Sequence, residues 1–253
     1  GWIVGYCTVR RETITMFMHQ MLCEFLGTAL MIVFGVGVHC DDTLNDTKYH
    51  GTGHIFAITT WAFGITIALY IFGNVCINPC MVVAQALLGN ISWSLVLPYS
   101  LAELAGGFVG AVISYICYAD HFKASEGKVD PVRIRNIFST APGIRNLPRN
   151  FFCEFFATFI FIAGILGISQ SCTGQSAVML PVGVGLLVWA IGMGMGGTTG
   201  FAMNLARDLG PRMAHAVLPI KNKADSEWGY GILVPGFAPF VGAACAAVFM
   251  RMF

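Results

Sequence analysis

The chain has 253 residues, of which 56% are hydrophobic and only 11% charged, and its mean hydropathy is +0.72. Soluble globular domains carry about 25% charged residues, so this composition excludes an ordinary soluble domain. The formal charge of +1, with no basic stripe and no nucleic-acid motif, excludes nucleic acid as a partner.

Thirty Gly and twenty Phe suit a helical membrane protein, in which small residues let helices approach closely. The nine Cys sit mostly in apolar segments, and none forms Cys-x-x-Cys. They read as small buried hydrophobes rather than a disulfide framework. His39-Cys40-Asp41-Asp42, with His50 and His54 beyond, comes nearest to a metal cluster, but nothing fixes its geometry and it reads as a solvated polar loop. No metal or cofactor is expected. The N-terminus has no secretory cleavage pattern, and the first apolar run is long enough to stay in the membrane.

A helix that crosses the hydrocarbon needs about 20 mostly apolar residues. Six runs qualify: 16–38, 53–73, 93–118, 151–171, 178–198 and 230–250. Two shorter runs, 79–89 and 205–219, follow the second and fifth. Each is about half a span and predicts a re-entrant half-helix. The order is therefore span, span, half, span, and then the same again.

The repeat also shows in the residues. Glu24-Phe25-Leu26-Gly27-Thr28 in the first span matches Glu154-Phe155-Phe156-Ala157-Thr158 in the fourth. Asn78-Pro79-Cys80 matches Asn204-Leu205-Ala206 at the starts of the half-helices. Three spans per copy is odd, so the second copy enters from the opposite side, which is the inverted-repeat plan with its site near the midplane. The expected fold is an all-α membrane protein with six transmembrane helices and two half-helices. It forms a single domain over 1–253, with halves of about 15–118 and 150–252 and a polar linker at 119–149 that turns at Ser139-Thr140-Ala141-Pro142-Gly143.

The charges conflict over orientation. Arg10, Arg11 and Arg251 flank the termini and argue for cytoplasmic ends, yet the linker carries Lys123, Lys128, Arg133, Arg135, Arg145 and Arg149. Gly106-x-x-x-Gly110 and Gly196-x-x-x-Gly200 have the small-xxx-small spacing of close helix crossings within one protomer.

The paired Asn boxes, Glu-x-x-x-Thr in spans one and four, and Gly200-Phe201-Ala202-Met203-Asn204-Leu205-Ala206-Arg207-Asp208-Leu209-Gly210-Pro211-Arg212 together resemble the aquaporin superfamily (major intrinsic proteins). The similarity runs from about Glu24 onward and points to the bacterial glycerol-facilitator, or aquaglyceroporin, branch, for which Asp208 after Arg207 is the marker. The resemblance implies a passive channel for glycerol and other small neutral solutes with some water, no enzymatic activity, exclusion of protons and ions, a homotetramer, and a multi-pass place in the plasma membrane with cytoplasmic termini. It also aligns Trp61, Gly192, Phe201 and Arg207 with the family's constriction. Alone, Trp61 would read as core packing or an interfacial anchor.

Physical roles follow for these residues. Asn is a strong N-cap, and a helix start carries about half a positive charge. Two starts facing each other at Asn78 and Asn204 would repel cations and present side-chain N–H donors. The extended segments 74–77 and 199–203 would line a cavity with carbonyls. Arg207 would supply fixed donors, Trp61 and Phe201 an apolar corner, and Gly192 open space. Glu24 and Glu154 would accept from the re-entrant backbone, and they are the only titratable residues expected in the spans. Arg212 would anchor the far end of the second half-helix.

Three departures from the family pattern stand out. Cys80 replaces the usual Ala, which suggests a mercurial-sensitive thiol at Cys80 or Cys76. Leu205 replaces the usual Pro, leaving Leu bulk opposite Pro79. The approach Asn74-Val75-Cys76-Ile77 lacks the customary His. Two rival readings remain: a water-selective pore, disfavoured by Gly192 and Asp208, and a junction protein with a plugged lumen.

Overall fold

The computed structural model describes the backbone of residues 2–253 and the side chains of residues 14–253. Arg10 and Arg11, half of the orientation argument, lie outside the described side chains. Among the described residues all regular secondary structure is helical, with no strand.

Helix α1 (Trp2–Thr43) is followed by α2 (His54–Phe72), the half-helix α3 (Pro79–Leu87) and α4 (Val96–Cys117). The linker holds two short helices, α5 (Ala119–Ala124) and α6 (Pro131–Phe138). The second half runs through α7 (Leu147–Ser171), α8 (Leu180–Thr199), the half-helix α9 (Leu205–Val217), a short α10 (Trp228–Gly231), a π-helical segment Ile232–Phe237, and α11 (Ala238–Met250). Six segments are long and apolar enough to cross a membrane: Ile14–Thr43, His54–Phe72, Trp93–Cys117, Leu147–Ser171, Gly174–Thr199 and Trp228–Met250. They coincide with the six expected runs, and this is a multi-pass membrane protein.

Helix packing follows the chain order twice. α1 packs on α2 and α4, as α7 packs on α8 and α11. Each half-helix crosses over: α9 lies on α4 and α3 on α11. Glycines set these crossings. A Cβ on Gly106 would lie 2.2 Å from the Phe25 carbonyl oxygen, and one on Gly242 would lie 2.3 Å from that of Phe155. The same contact therefore occurs once in each half. Gly110 likewise meets the Ala29 carbonyl at 2.5 Å, the close crossing expected of Gly106-x-x-x-Gly110.

The other small-xxx-small pair does something different. Gly200 caps α8 in the left-handed region, at φ 90°, where a side chain is disfavoured. Gly196 makes room for the Phe201 ring, whose Cδ1 would lie 2.6 Å from an added Cβ.

The stretch expected as a solvated loop is the end of α1. Cys40 is fully buried, and Asp42 accepts the Gly53 N–H at 2.6 Å ahead of α2. No group of three potential metal ligands occurs among the described residues. In the linker, Asp130 caps α6 by accepting from Val132 N at 2.7 Å. Asn146 caps α7 through Arg149 N at 3.2 Å. Both caps precede a Pro in the first turn, where its missing N–H costs nothing.

Candidate functional site: a cavity crossed by two half-helix starts

The two half-helices begin alike. Asn78 sits at φ −159°, ψ 111° and its side chain accepts from Cys80 N. Asn204 sits at φ −158°, ψ 113° and its side chain accepts from Ala206 N and Arg207 N. Their amide groups then lock across the midline. Asn78 Nδ2 donates to the Met203 carbonyl at 2.9 Å, and Asn204 Nδ2 donates to the Ile77 carbonyl at 2.7 Å. An Asn amide has two N–H donors, so each Asn keeps one beyond this lock.

The residue before each Asn is left-handed: Ile77 at φ 46° and Met203 at φ 51°. Such a conformation costs a non-glycine residue roughly 1–3 kcal/mol and persists only where its surroundings over-determine it. Buried carboxylates do this here. Glu24 accepts from Cys76 N at 3.0 Å and Ile77 N at 2.9 Å. Glu154 accepts from Ala202 N at 3.1 Å and Met203 N at 3.0 Å. Both Glu are fully buried.

A third buried carboxyl escaped sequence reading. Glu103 on α4 is fully buried and accepts from Asn78 N at 2.8 Å. The spans therefore hold three such carboxyls. Glu103 lies within hydrogen-bonding reach of Glu24, yet its Oε2 has no donor among the described residues. An acidic residue inside an apolar span was the signal available for it.

A cavity of about 390 Å³ runs along these elements. Met31, Ile65, Leu69, Phe161, Val184 and Val188 give it an apolar side, and the re-entrant residues Gly73, Asn74, Val75, Cys76 and Ile77, with Phe201, Ala202 and Met203, lie along it too. The carbonyls of Val75, Cys76, Phe201 and Ala202 accept no hydrogen bond from the described residues. Asn78 and Asn204 also line the cavity.

Trp61, Phe201 and Arg207 come together on its wall. The Arg207 guanidinium lies over the Trp61 ring, with Cζ 4.2 Å from the centroid. Its side chain makes no ion pair or hydrogen bond with the described residues. Gly192 is not among the lining residues. The space where its side chain would be is already taken: an added Cβ would meet Ile58 Cγ2 at 2.6 Å and Phe201 Cζ at 3.2 Å. Gly192 thus seats Phe201 against Ile58.

Asp208 turns away from the cavity. Its Oδ2 accepts from Thr140 N and Oγ1, both at 2.7 Å, and its Oδ1 accepts from Arg212 Nε at 2.9 Å and Nη2 at 2.7 Å. Arg212 also donates to the carbonyls of Ser226 and Thr140 and is fully buried. It pins the middle of α9 to the linker rather than anchoring the far end. That end is held by Lys223, which donates to the carbonyls of Ala216 at 2.9 Å and Leu218 at 2.7 Å. Arg251 does the same for α3, donating to the Leu87 carbonyl.

The two departures in the boxes are neighbours. The Leu205 backbone N–H faces the Cys80 sulfur, a donor that Pro at this position would lack. Leu205 Cδ1 packs towards Gly236 in the π-helical segment, 3.6 Å from where its Cβ would be. Cys80 is fully buried, whereas Cys76 is partly exposed and lines the cavity.

Six spans with two capped half-helices meeting beside a central cavity define a membrane protein of the aquaporin type. Residues 12–250 match the family described as major intrinsic protein, and the chain belongs to that family. It is 72% identical over 235 residues to glycerol uptake facilitator protein 4 of Lactiplantibacillus plantarum, covering 93% of this chain and 98% of that one. It is 70% identical, with the same coverage, to the D/L-lactic acid transporter of that organism. The solved aquaglyceroporin of Plasmodium falciparum shares its fold, with a TM-score of 0.80 at 24% identity over 92% of this chain and 95% of that one. The expected resemblance to the glycerol-facilitator branch is borne out.

Proposed function

We propose that the protein is a passive channel for glycerol and other small neutral solutes, with some water. One observation carries this reading: a cavity with an apolar side and a run of unpaired carbonyls, met by Asn78 and Asn204 and bordered by Arg207 against Trp61. A linear polyol has hydroxyls along one edge and C–H along the other, so each edge meets a matching wall.

In this reading Arg207, Trp61, Phe201 and Gly192 form the filter. Arg207 offers its unused donors to a hydroxyl and opposes cations by charge. The spare N–H of each Asn takes the solute oxygen at the midpoint. The helix starts there focus positive potential, which disfavours hydronium. Pro79, Cys80, Leu205 and Ala206 shape the two starts. The lining of open space from Arg207 to Gly73 supports a conducting pore over a plugged junction. The roles of Glu24 and Glu154 are structural, since their oxygens are committed to the re-entrant backbone.

The two halves, about 15–118 and 150–252, act as an inverted repeat within one channel domain, supported by the matched packing and hydrogen bonds. Cytoplasmic termini, a plasma-membrane location and a homotetramer complete the reading. Arg135 and Arg145 in the linker pair with Glu227 at 3.3 and 2.5 Å, so part of the linker's positive charge is structural and the charge count against this orientation weakens.

A second reading is favoured by the 70% identical relative named for lactic acid. An undissociated three-carbon hydroxy acid has the size and polarity pattern of glycerol. Labelled-glycerol uptake by cells lacking their own facilitator tests the first reading: expression should raise uptake without saturation, and uptake equal to empty-vector cells would reject it. Lactic acid flux, if carried, should fall tenfold per pH unit above the acid's pKa, following the neutral form.

A further inference from the structure

His39 stands at the end of α1, in the stretch that sequence reading gave to solvent. Its Nε2 accepts the indole N–H of Trp61 at 3.1 Å. One turn earlier on the same helix, Gly35 leaves a notch filled by that ring: an added Cβ would lie 2.1 Å from Trp61 Cη2. Arg207 covers the ring from the cavity, 4.2 Å from its centroid, and Trp61 is only 3% exposed. The ring is therefore gripped by α1 through Gly35 and His39, and its one polar atom is satisfied behind the lumen rather than in it.

We infer that His39 is a specificity-determining positioning residue, which holds Trp61 in the Gly35 notch. The inference rests on the channel reading above. The chemistry is direct. Nε2 accepts only while it carries a lone pair, so the holding form is the neutral ring with its proton on Nδ1. The charged and titratable groups facing His39 are Asp42 from its own helix, His54 from α2 and Arg207 from α9. A freed indole takes cross-section that a three-carbon solute needs more than water does, so the glycerol-to-water ratio is the quantity His39 sets.

The test compares wild type, H39Q, H39L and G35A in liposomes, with glycerol and water permeability measured at neutral pH. H39Q keeps an acceptor at this position, so its ratio should match wild type. H39L should show a ratio reduced about threefold to tenfold, as expected for loss of one neutral hydrogen bond. G35A should do the same by displacing the ring.

Trp61 emission, isolated by subtracting the spectrum of W61F, gives a readout independent of conduction. It should shift in H39L and not in H39Q. A ratio in H39Q as low as that of H39L, or an unchanged ratio in H39L, would overturn the inference. Failure of wild type to conduct glycerol would instead remove the channel reading and leave the emission test standing.

Discussion

At the scale of the residue, chemistry and access separate two cysteines that look alike in sequence. Cys80 is sealed in the packing at the start of α3, whereas Cys76 lines the cavity. A mercurial in the lumen reaches only the second. Inhibition should therefore persist in C80S and disappear in C76S, measured as solute flux before and after treatment. Loss of inhibition in C80S alone would show that the buried thiol is the target. Cys80 has a different role: its sulfur faces the Leu205 N–H, so the two box residues that depart from the family are joined. L205P removes that N–H, and C80A removes its acceptor. A double-mutant cycle on thermal stability should give a coupling of about 0.5–1 kcal/mol, the size of a weak buried hydrogen bond. Additive effects would mean that the contact carries no energy.

At the scale of the element, each half-helix is held at both ends by the same means. Asn caps the start, a buried Glu holds the strained residues before it, and a cation closes the last carbonyls, Arg251 on α3 and Lys223 on α9. Acceptors at the N-terminus and cations at the C-terminus both suit the helix dipole. The symmetry breaks at Glu103. It serves Asn78 N and lies within reach of the Glu24 carboxyl, but its Oε2 has no donor among the described residues. An amide there would keep the acceptor and add the missing N–H. E103Q should therefore raise the melting temperature of the purified protein, by the equivalent of about 0.5–1.5 kcal/mol, with transport unchanged. A lowered melting temperature would mean that Glu103 already donates a proton of its own to Glu24.

At the scale of the whole molecule, the architecture was largely legible because its signals are local or periodic. Span length is set by the bilayer, and Asn ahead of a short apolar run caps a helix start, so the spans and half-helix starts were found within a few residues. What stayed hidden depends on contacts between segments distant in the chain. Glu103 was lost inside a span that is apolar on average. His39 looked solvated because four polar residues end an apolar run, while in the fold α1 continues through them and Trp61, 22 residues later, turns His39 inward. Gly192 was read as space alone, but its contacts with Ile58 and Phe201 exist only once α8 meets α2. Arg212 was given to the far end of α9, though its partners Thr140 and Ser226 lie on other segments. The central claim joins all these parts: the cavity passes small neutral solutes and blocks protons. Its most direct test is stopped-flow light scattering of liposomes that contain the purified protein and a pH-sensitive dye, mixed with glycerol. The account predicts brief shrinkage, then rapid glycerol-driven re-swelling, with an imposed pH gradient decaying no faster than in protein-free vesicles. Re-swelling at the protein-free rate, or collapse of the pH gradient, would contradict it.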